Sequence, residues 1–235
     1  MKLGVNILNF GPGGSPDSLR GWARFAEQAG FSIAMISDRG PLTPDVQARY
    51  PAPFYDPFVT LAWLAGQTEH IELGTTVALL PYRNPLLTAR MAANVDQFSR
   101  GRLVLGVGVG WSEPEYAALG VPFGQRGAIT DEYLAAIKEL WTNEVASMNG
   151  RFVSFREVRT GPGPARRPHP PYLGRGLQRG GDPACRPVRR RLASDRSPPG
   201  LAARERAAQP AGSREGGRPS AVGLVPADQP APRGG

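Results

Sequence analysis

The amino-acid sequence changes character near residue 172, and that break limits what the chain can fold into. From residue 161 onward it contains no Ile, Phe, Trp, Met, Lys, Asn or Thr, and Tyr172 is the only residue there among Phe, Tyr and Trp. The rest of that segment is mostly Arg, Pro, Gly and Ala. Ordering a backbone costs about 1–2 kcal/mol per residue, and such a composition offers too little apolar surface to offset it. Residues 1–172 are therefore expected to form the folded part, and residues 173–235 a disordered tail.

Charge divides along the same line. The tail holds 12 Arg against five acids, and the remainder 16 basic against 15 acidic groups, which together give the formal +8. The folded part is nearly neutral, so its charge says nothing of a partner. Arg189-Arg190-Arg191 is the only basic run in the tail, and no aromatic residue is interleaved after Tyr172. A basic arm binding nucleic acid through phosphates and stacked bases is the weaker reading for that reason. The single cysteine, Cys185, permits no internal disulfide. No long apolar run and no signal-like N-terminus are present, so a cytoplasmic location is expected.

The folded part alternates short apolar runs with helical periodicity. Leu3–Phe10, Phe31–Ser37, Ile71–Leu80 and Arg102–Val109 read as buried strands, with a fifth expected at Pro170-Pro171-Tyr172-Leu173. Ser15-Pro16-Asp17 and Asn84-Pro85 read as helix starts. The first helix is expected to bury Leu19, Trp22, Ala23 and Ala26, with Gly30 closing it. Further helices are expected from Pro57 with Phe58, Leu61, Ala62 and Ala65, and over Thr130–Trp141 with Leu134, Ile137 and Leu140. Arg151–Phe155 reads as a short additional strand. Strands apolar on both faces and separated by helices imply a parallel sheet covered by helices. An open doubly wound sheet and a closed (β/α)8 barrel both satisfy the pattern.

In either architecture ligands gather at the C-terminal strand ends. Here those are Asn9-Phe10, Ser37-Asp38-Arg39, Thr75-Thr76-Val77 and Gly106–Trp111. The alternating glycines of the last segment suit close approach of a flat ligand, or else relief of crowding within a barrel. They lack the third glycine of a dinucleotide fingerprint. Asp38 can orient a ligand or cap a turn. His70 reads as a surface residue, and no metal-ligand spacing occurs.

Taken together, Val5-Asn-Ile-Leu-Asn-Phe-Gly11, Ile36-Ser-Asp-Arg39, Leu73-Gly-Thr-Thr-Val77, Leu80-Pro-Tyr-Arg-Asn-Pro85, Gly101–Trp111 and Pro168-His-Pro-Pro171 resemble the bacterial-luciferase-like oxidoreductases. Within these the match is to the branch that uses the deazaflavin coenzyme F-420. The resemblance implies a (β/α)8 barrel of which the first four to five units are present, with an excursion after the fourth strand over residues 112–165. It implies a non-proline cis peptide at Thr76-Val77 and a ring bound near Asp38, Thr75, Thr76, Val77, Gly108 and Gly110. Asn9, Arg39 and Trp111 are the substrate-facing candidates. The implied chemistry is hydride transfer with coenzyme F-420 on a small organic substrate. The alternative is oxygenation with FMN reduced by a partner reductase, and intact relatives are expected to be homo-oligomers. Many members place His where this chain has Arg39, which leaves a proton-transferring role there without its usual group.

The fifth strand of such proteins continues as an apolar run, whereas here it becomes Tyr172-Leu-Gly-Arg-Gly. Read from the second codon base, Pro187–Asp195 allows Arg-Phe-Gly-Asp-Gly-Trp-His-Pro, the way this family commonly continues. The tail is therefore expected to be a frameshift product, and the chain as written to be unstable and inactive.

Overall fold

The computed structural model describes residues 3–174 and 185–187. The expected tail otherwise lies outside the described residues. A first compact unit spans Met1–Arg189.

Parallel strands β1 (Gly4–Asn6), β2 (Ile33–Ile36), β3 (Glu72–Thr75), β4 (Ala78–Leu79) and β5 (Leu103–Gly108) alternate with helices. The helices are α1 (Pro16–Gln28), α2 (Pro44–Gln47), α3 (Pro57–Ala65), α4 (Pro85–Phe98), α5 (Glu113–Ala118) and α6 (Arg126–Thr142). An antiparallel hairpin, β6 (Ala146–Asn149) and β7 (Ser154–Val158), follows α6. The Arg151–Phe155 segment, expected as one strand, thus supplies the turn and the start of the second hairpin strand. The chain then returns to the sheet as β8 (Tyr172–Gly174), which pairs in parallel with β5 and with β9 (Cys185–Pro187). The sheet order is β1-β2-β3-β5-β8-β9, with β4 also paired to β5. The expected domain boundary at residue 172 falls inside β8.

The helix starts follow their local chemistry. Ser15 accepts a hydrogen bond from the Ser18 amide, and Asp56 accepts from Phe58 and Val59. Asn84 accepts from Leu86, and each of these helices carries Pro in its first turn. Gly30 takes φ +78° after α1, a conformation that costs a residue without Cβ little.

Side chains along the strands divide into two sets. Ala34, Ile36, Leu73, Leu103, Leu105, Val107 and Tyr172 join Leu19 and Ala23 of α1, Leu61 and Leu64 of α3, Ala92 of α4 and Ile137 and Leu140 of α6 in one core. Each fully buried Leu or Ile there contributes about 1.5–3 kcal/mol. The opposite face carries Ile33, Met35 and Val104 beside Gly4, Asn6, Glu72, Gly74, Thr76, Gly106 and Gly108, so it is apolar on β2 and at the start of β5 and small or polar elsewhere. Trp22 also departs from expectation: it is 54% exposed and packs edge-on against Phe25 on the solvent side of α1.

At the N-terminal end of the sheet two side chains tie the connections down. Glu27 Oε1 accepts the amides of Glu69, His70 and Ile71 at 2.9, 2.6 and 2.9 Å. Arg102 donates to the carbonyls of Ala65, Thr68, Ile71 and Ser99. His70 itself is exposed, as the sequence suggested.

Candidate functional site

The site is built around an interruption in the third sheet strand. The peptide between Thr76 and Val77 is cis, which separates β3 from β4. Thr75, fully buried, donates its hydroxyl to the Gly106 carbonyl at 2.6 Å. The Thr76 amide donates to the Ile36 carbonyl at 2.7 Å, and its hydroxyl to Asn6 Oδ1 at 2.9 Å. The bulge is therefore fastened to β1, β2 and β5, all at their C-terminal ends.

This explains two glycines. A Cβ on Gly106 would stand 2.0 Å from the Thr75 carbonyl oxygen, and one on Gly108 would stand 2.3 Å from Val77 Cγ2. Both are small because the bulge lies against them. Crowding within the protein thus acts at both positions, while Gly108 stays partly accessible. Gly110 differs: it takes φ +71° at the turn from β5 towards α5, with the Tyr82 hydroxyl beside it.

Asp38 is turned inward. It accepts from Arg83 Nη1 and Nη2 at 2.5 and 2.7 Å and from the Leu79 amide at 2.8 Å, and its side chain has no exposed surface. Arg83 also bridges Asp56 at 2.9 Å. Burial raises the Asp38 pKa against the opposing pull of Arg83. Burial likewise works against the Arg83 charge, but its bonds to Asp38 and Asp56 carry its pKa above the ordinary value. The two carboxylates and the fork of Arg83 hold the end of β4 to the end of β2.

A roof of aromatic and cationic side chains covers the same end. Phe10 stacks on Phe54 at 5.3 Å and meets Tyr50 edge-on at 5.2 Å. The Arg39 guanidinium lies 4.6 Å from the Tyr50 ring and 4.8 Å from the Trp111 ring. Arg49 also lies over Trp111, at 4.8 Å. Arg39 is neutralised by Glu115, 3.2 Å away, whose side chain is fully buried and also accepts the Gly40 amide and the Tyr82 hydroxyl. Burial, and next the Glu115 charge, push the Tyr82 phenol well above its usual pKa. Burial pushes Tyr116 up to about 12. Both phenols are protonated donors at neutral pH. A second tie joins the two loops, from Ser112 to Asp45 at 2.7 Å.

Among the expected site residues, Thr76, Val77 and Gly108 come together at the C-terminal end, partly accessible. Thr75 and Asp38 lie behind them as internal supports. Asn9 is fully buried, donating to the carbonyls of Ser37 and Tyr55 and accepting the Ser37 amide, so it joins strand ends. Arg39 and Trp111 belong to the roof. Sequence reasoning missed Arg49, Tyr82, Arg83 and Glu115. Glu115 did carry a signal: Ser112-Glu-Pro-Glu115 is a capping-box pattern, and Ser112 accepts the Glu115 amide at 3.2 Å. The Glu115 carboxylate, however, reaches across to Arg39.

No free general base stands among these side chains, since each acid is committed to an ion pair or to donors. His169 is buried, stacked between Trp141 and Tyr172 with Nδ1 2.8 Å from the Pro170 carbonyl. Among the described residues no group of His, Cys, Asp or Glu is arranged to hold a metal ion, and no helix is long and apolar enough to cross a membrane.

Comparison with known proteins defines the class. The luciferase-like monooxygenase family model matches residues 1–222, and this chain belongs to that family. Its described parallel sheet and covering helices match part of the family's barrel. The uncharacterised protein Rv0953c of Mycobacterium tuberculosis is 35% identical over 163 residues, covering 64% of this chain and 57% of the relative. The FMNH(2)-dependent dimethylsulfone monooxygenase of Pseudomonas putida is 31% identical over 167 residues, covering 69% of this chain and 44% of the relative. The crystal structure of monooxygenase RslO1 from Streptomyces bottropensis superposes with a TM-score of 0.64 at 28% identity, over 74% of this chain and 53% of that one. An F-420-dependent secondary alcohol dehydrogenase in complex with an F-420-acetone adduct shares the fold at 20% identity and a TM-score of 0.62, over 74% of this chain and 51% of that one. The chain thus spans about half the length of these relatives. Both kinds of coenzyme occur among them, and the named members are monooxygenases and oxidoreductases.

Proposed function

We propose that the C-terminal strand ends form the ring-binding face of a flavin-type oxidoreductase acting on a small organic substrate. The observation that carries this reading is the bulge at Thr75–Val77. It is fastened to three strands and presents Thr76, Val77 and Gly108 on the face away from the helical core. A flat ring fits such a surface, because Gly108 adds no side chain and Val77 adds an apolar one. In this reading Asp38, Thr75 and Arg83 position the bulge, and Gly110 lets the β5 loop turn clear of the ring.

Two coenzymes suit that surface. Reduced FMN supplies oxygen activation, and two named relatives above 30% identity are described as FMNH(2)- or flavin-dependent. Coenzyme F-420 supplies a hydride, and it is the coenzyme of the branch that the strand-end motifs as a set resemble. Arg39 stands where many members place His, and its guanidinium is paired with Glu115. That favours the FMN reading, in which a separate reductase supplies the reduced cofactor. Fluorescence titration of the chain with FMN and with coenzyme F-420 under one set of conditions tests the choice. Tighter binding of FMN supports oxygenation, tighter binding of coenzyme F-420 supports hydride transfer, and binding of neither contradicts the proposal.

The tail remains part of the proposal. Its composition and its shifted reading support an out-of-frame origin, and in that reading the chain lacks the cofactor's phosphate clamp that the resemblance expects from later strands. Sequencing the gene across codons 165–200 tests it. Restoration of Phe-Gly-Asp-Gly-Trp in one frame is the expected result, and family-like sequence in no frame contradicts it.

A further inference from the structure

Arg39 and Arg49 sit on the same indole ring but are bound differently. Arg39 stacks between Tyr50 and Trp111 and gives Nη1 to Glu115 at 3.2 Å, so its charge is spent inside the protein. Arg49 lies 4.8 Å from the Trp111 centroid and is exposed. Among the described residues no acid pairs with it. The nearest acid in its own helix and loop, Asp45, is already held by the hydroxyls of Thr43 and Ser112 at 2.6 and 2.7 Å. Stacking engages the plane of a guanidinium and leaves its N–H edge free, and that edge matches a carboxylate in a two-point grip.

The position of this cation gives it a ligand to meet. Trp111 follows the end of β5 by three residues, and two apolar side chains, Leu8 at 58% and Val109 at 37% exposure, lie at the same end of the sheet. A charged anchor at the rim with apolar surface nearby is complementary to an organic acid whose body is apolar.

We infer that Arg49, held on Trp111, is the anchor for the carboxylate of the substrate, and that the substrate class is a small organic acid with an apolar body. The inference rests on the reading of the strand ends as the ligand site, and it assigns no bond-making step to Arg49.

Calorimetric titration of the full chain with benzoate and with its neutral isostere benzamide tests it. Arg49→Ala and Arg49→Gln are titrated beside the wild type, the second keeping most of the stem over Trp111 while removing the charge. Riboflavin titration of the same samples reports separately on the ring site. The expected result is benzoate binding weakened about tenfold or more in both variants, with benzamide weaker in the wild type and unchanged by either substitution. Riboflavin affinity is expected to stay constant. Equal affinity of the wild type for benzoate and benzamide, no benzoate binding, or wild-type benzoate affinity in Arg49→Gln overturns the anchor. Benzoate binding that depends on Arg49 in a chain that fails to bind riboflavin keeps the anchor and removes the flavin reading.

Discussion

Thr75 gives its hydroxyl to the Gly106 carbonyl 2.6 Å away, while its own carbonyl oxygen stands 2.0 Å from where a Gly106 Cβ would be. One residue pair thus fixes the distance between the third and fourth barrel strands at their C-terminal ends. The obstructing atom is backbone, so no rotamer relieves the clash. Gly106→Ala is expected to cost about 1–3 kcal/mol, near the upper end of that range, read as a lower urea midpoint. Gly127→Ala is the contrast. Gly127 lies within α6, where an added methyl group would meet nothing within 4 Å, and the change is expected to gain about 0.5–1 kcal/mol.

Removing the charge of Asp38 leaves Arg83 with Asp56 alone. Asp38→Asn is expected to lower stability by about 3 kcal/mol, because a largely buried guanidinium loses its main partner. Denaturant unfolding checks the size. The same variant should loosen the end of β4, whose Leu79 amide Asp38 also accepts. Increased hydrogen exchange at Ala78–Leu79 relative to β2 is the local sign.

The roof depends on Glu115. Glu115→Gln keeps the shape but removes the charge facing Arg39. The loops after β2 and β5 are then joined chiefly by Ser112 and Asp45. Faster limited proteolysis within residues 39–56 is expected, with little change in the helices.

Acid sensitivity should come in part from the opposite end of the sheet. Burial works against the Glu27 carboxylate, but three backbone amides and the nearby Arg102 outweigh it and hold its pKa below the usual value. A depressed carboxylate contributes stability that is complete above the unfolded pKa of about 4.3 and is lost as pH falls through the lower folded value. The thermal midpoint should therefore drop below about pH 4.3, and Glu27→Gln should flatten that part of the profile.

The first strand is an outer member of the described sheet and is flanked by Leu3 and Leu8, 53% and 58% exposed. Such an edge invites pairing between chains. Sedimentation velocity should show association that grows with concentration, and Leu8→Lys should reduce it.

Much of the fold was legible because local rules act locally. Ser15-Pro16 and Asn84-Pro85 cap helices whatever surrounds them, and the runs at 33–36 and 103–108 form strands because their alternate residues fill one core. The bulge at Thr76-Val77 came from resemblance, since nothing in the periodicity of Ile71–Leu80 marks a break. The sequence left the role of Gly106 and Gly108 open, because a glycine alone does not say whether ligand or protein fills the space beside it; the bulge fills it at Gly106 and meets Gly108 from one side. Arg83 and Glu115 were missed because their partners, Asp38 and Arg39, lie 45 and 76 residues away. Pairing at that range is set by the sheet order.

The central claim is that the strand ends bind a flavin-type ring. Equilibrium titration of riboflavin and FMN, followed by quenching of flavin fluorescence, tests it on the wild type and on Gly108→Ala, whose Cβ would press on Val77. The account predicts weak binding of both ligands with similar affinity, as the proposed out-of-frame origin of the tail implies, and a clear loss in the variant. Absence of riboflavin binding to the folded wild type, or binding indifferent to Gly108→Ala, would contradict it.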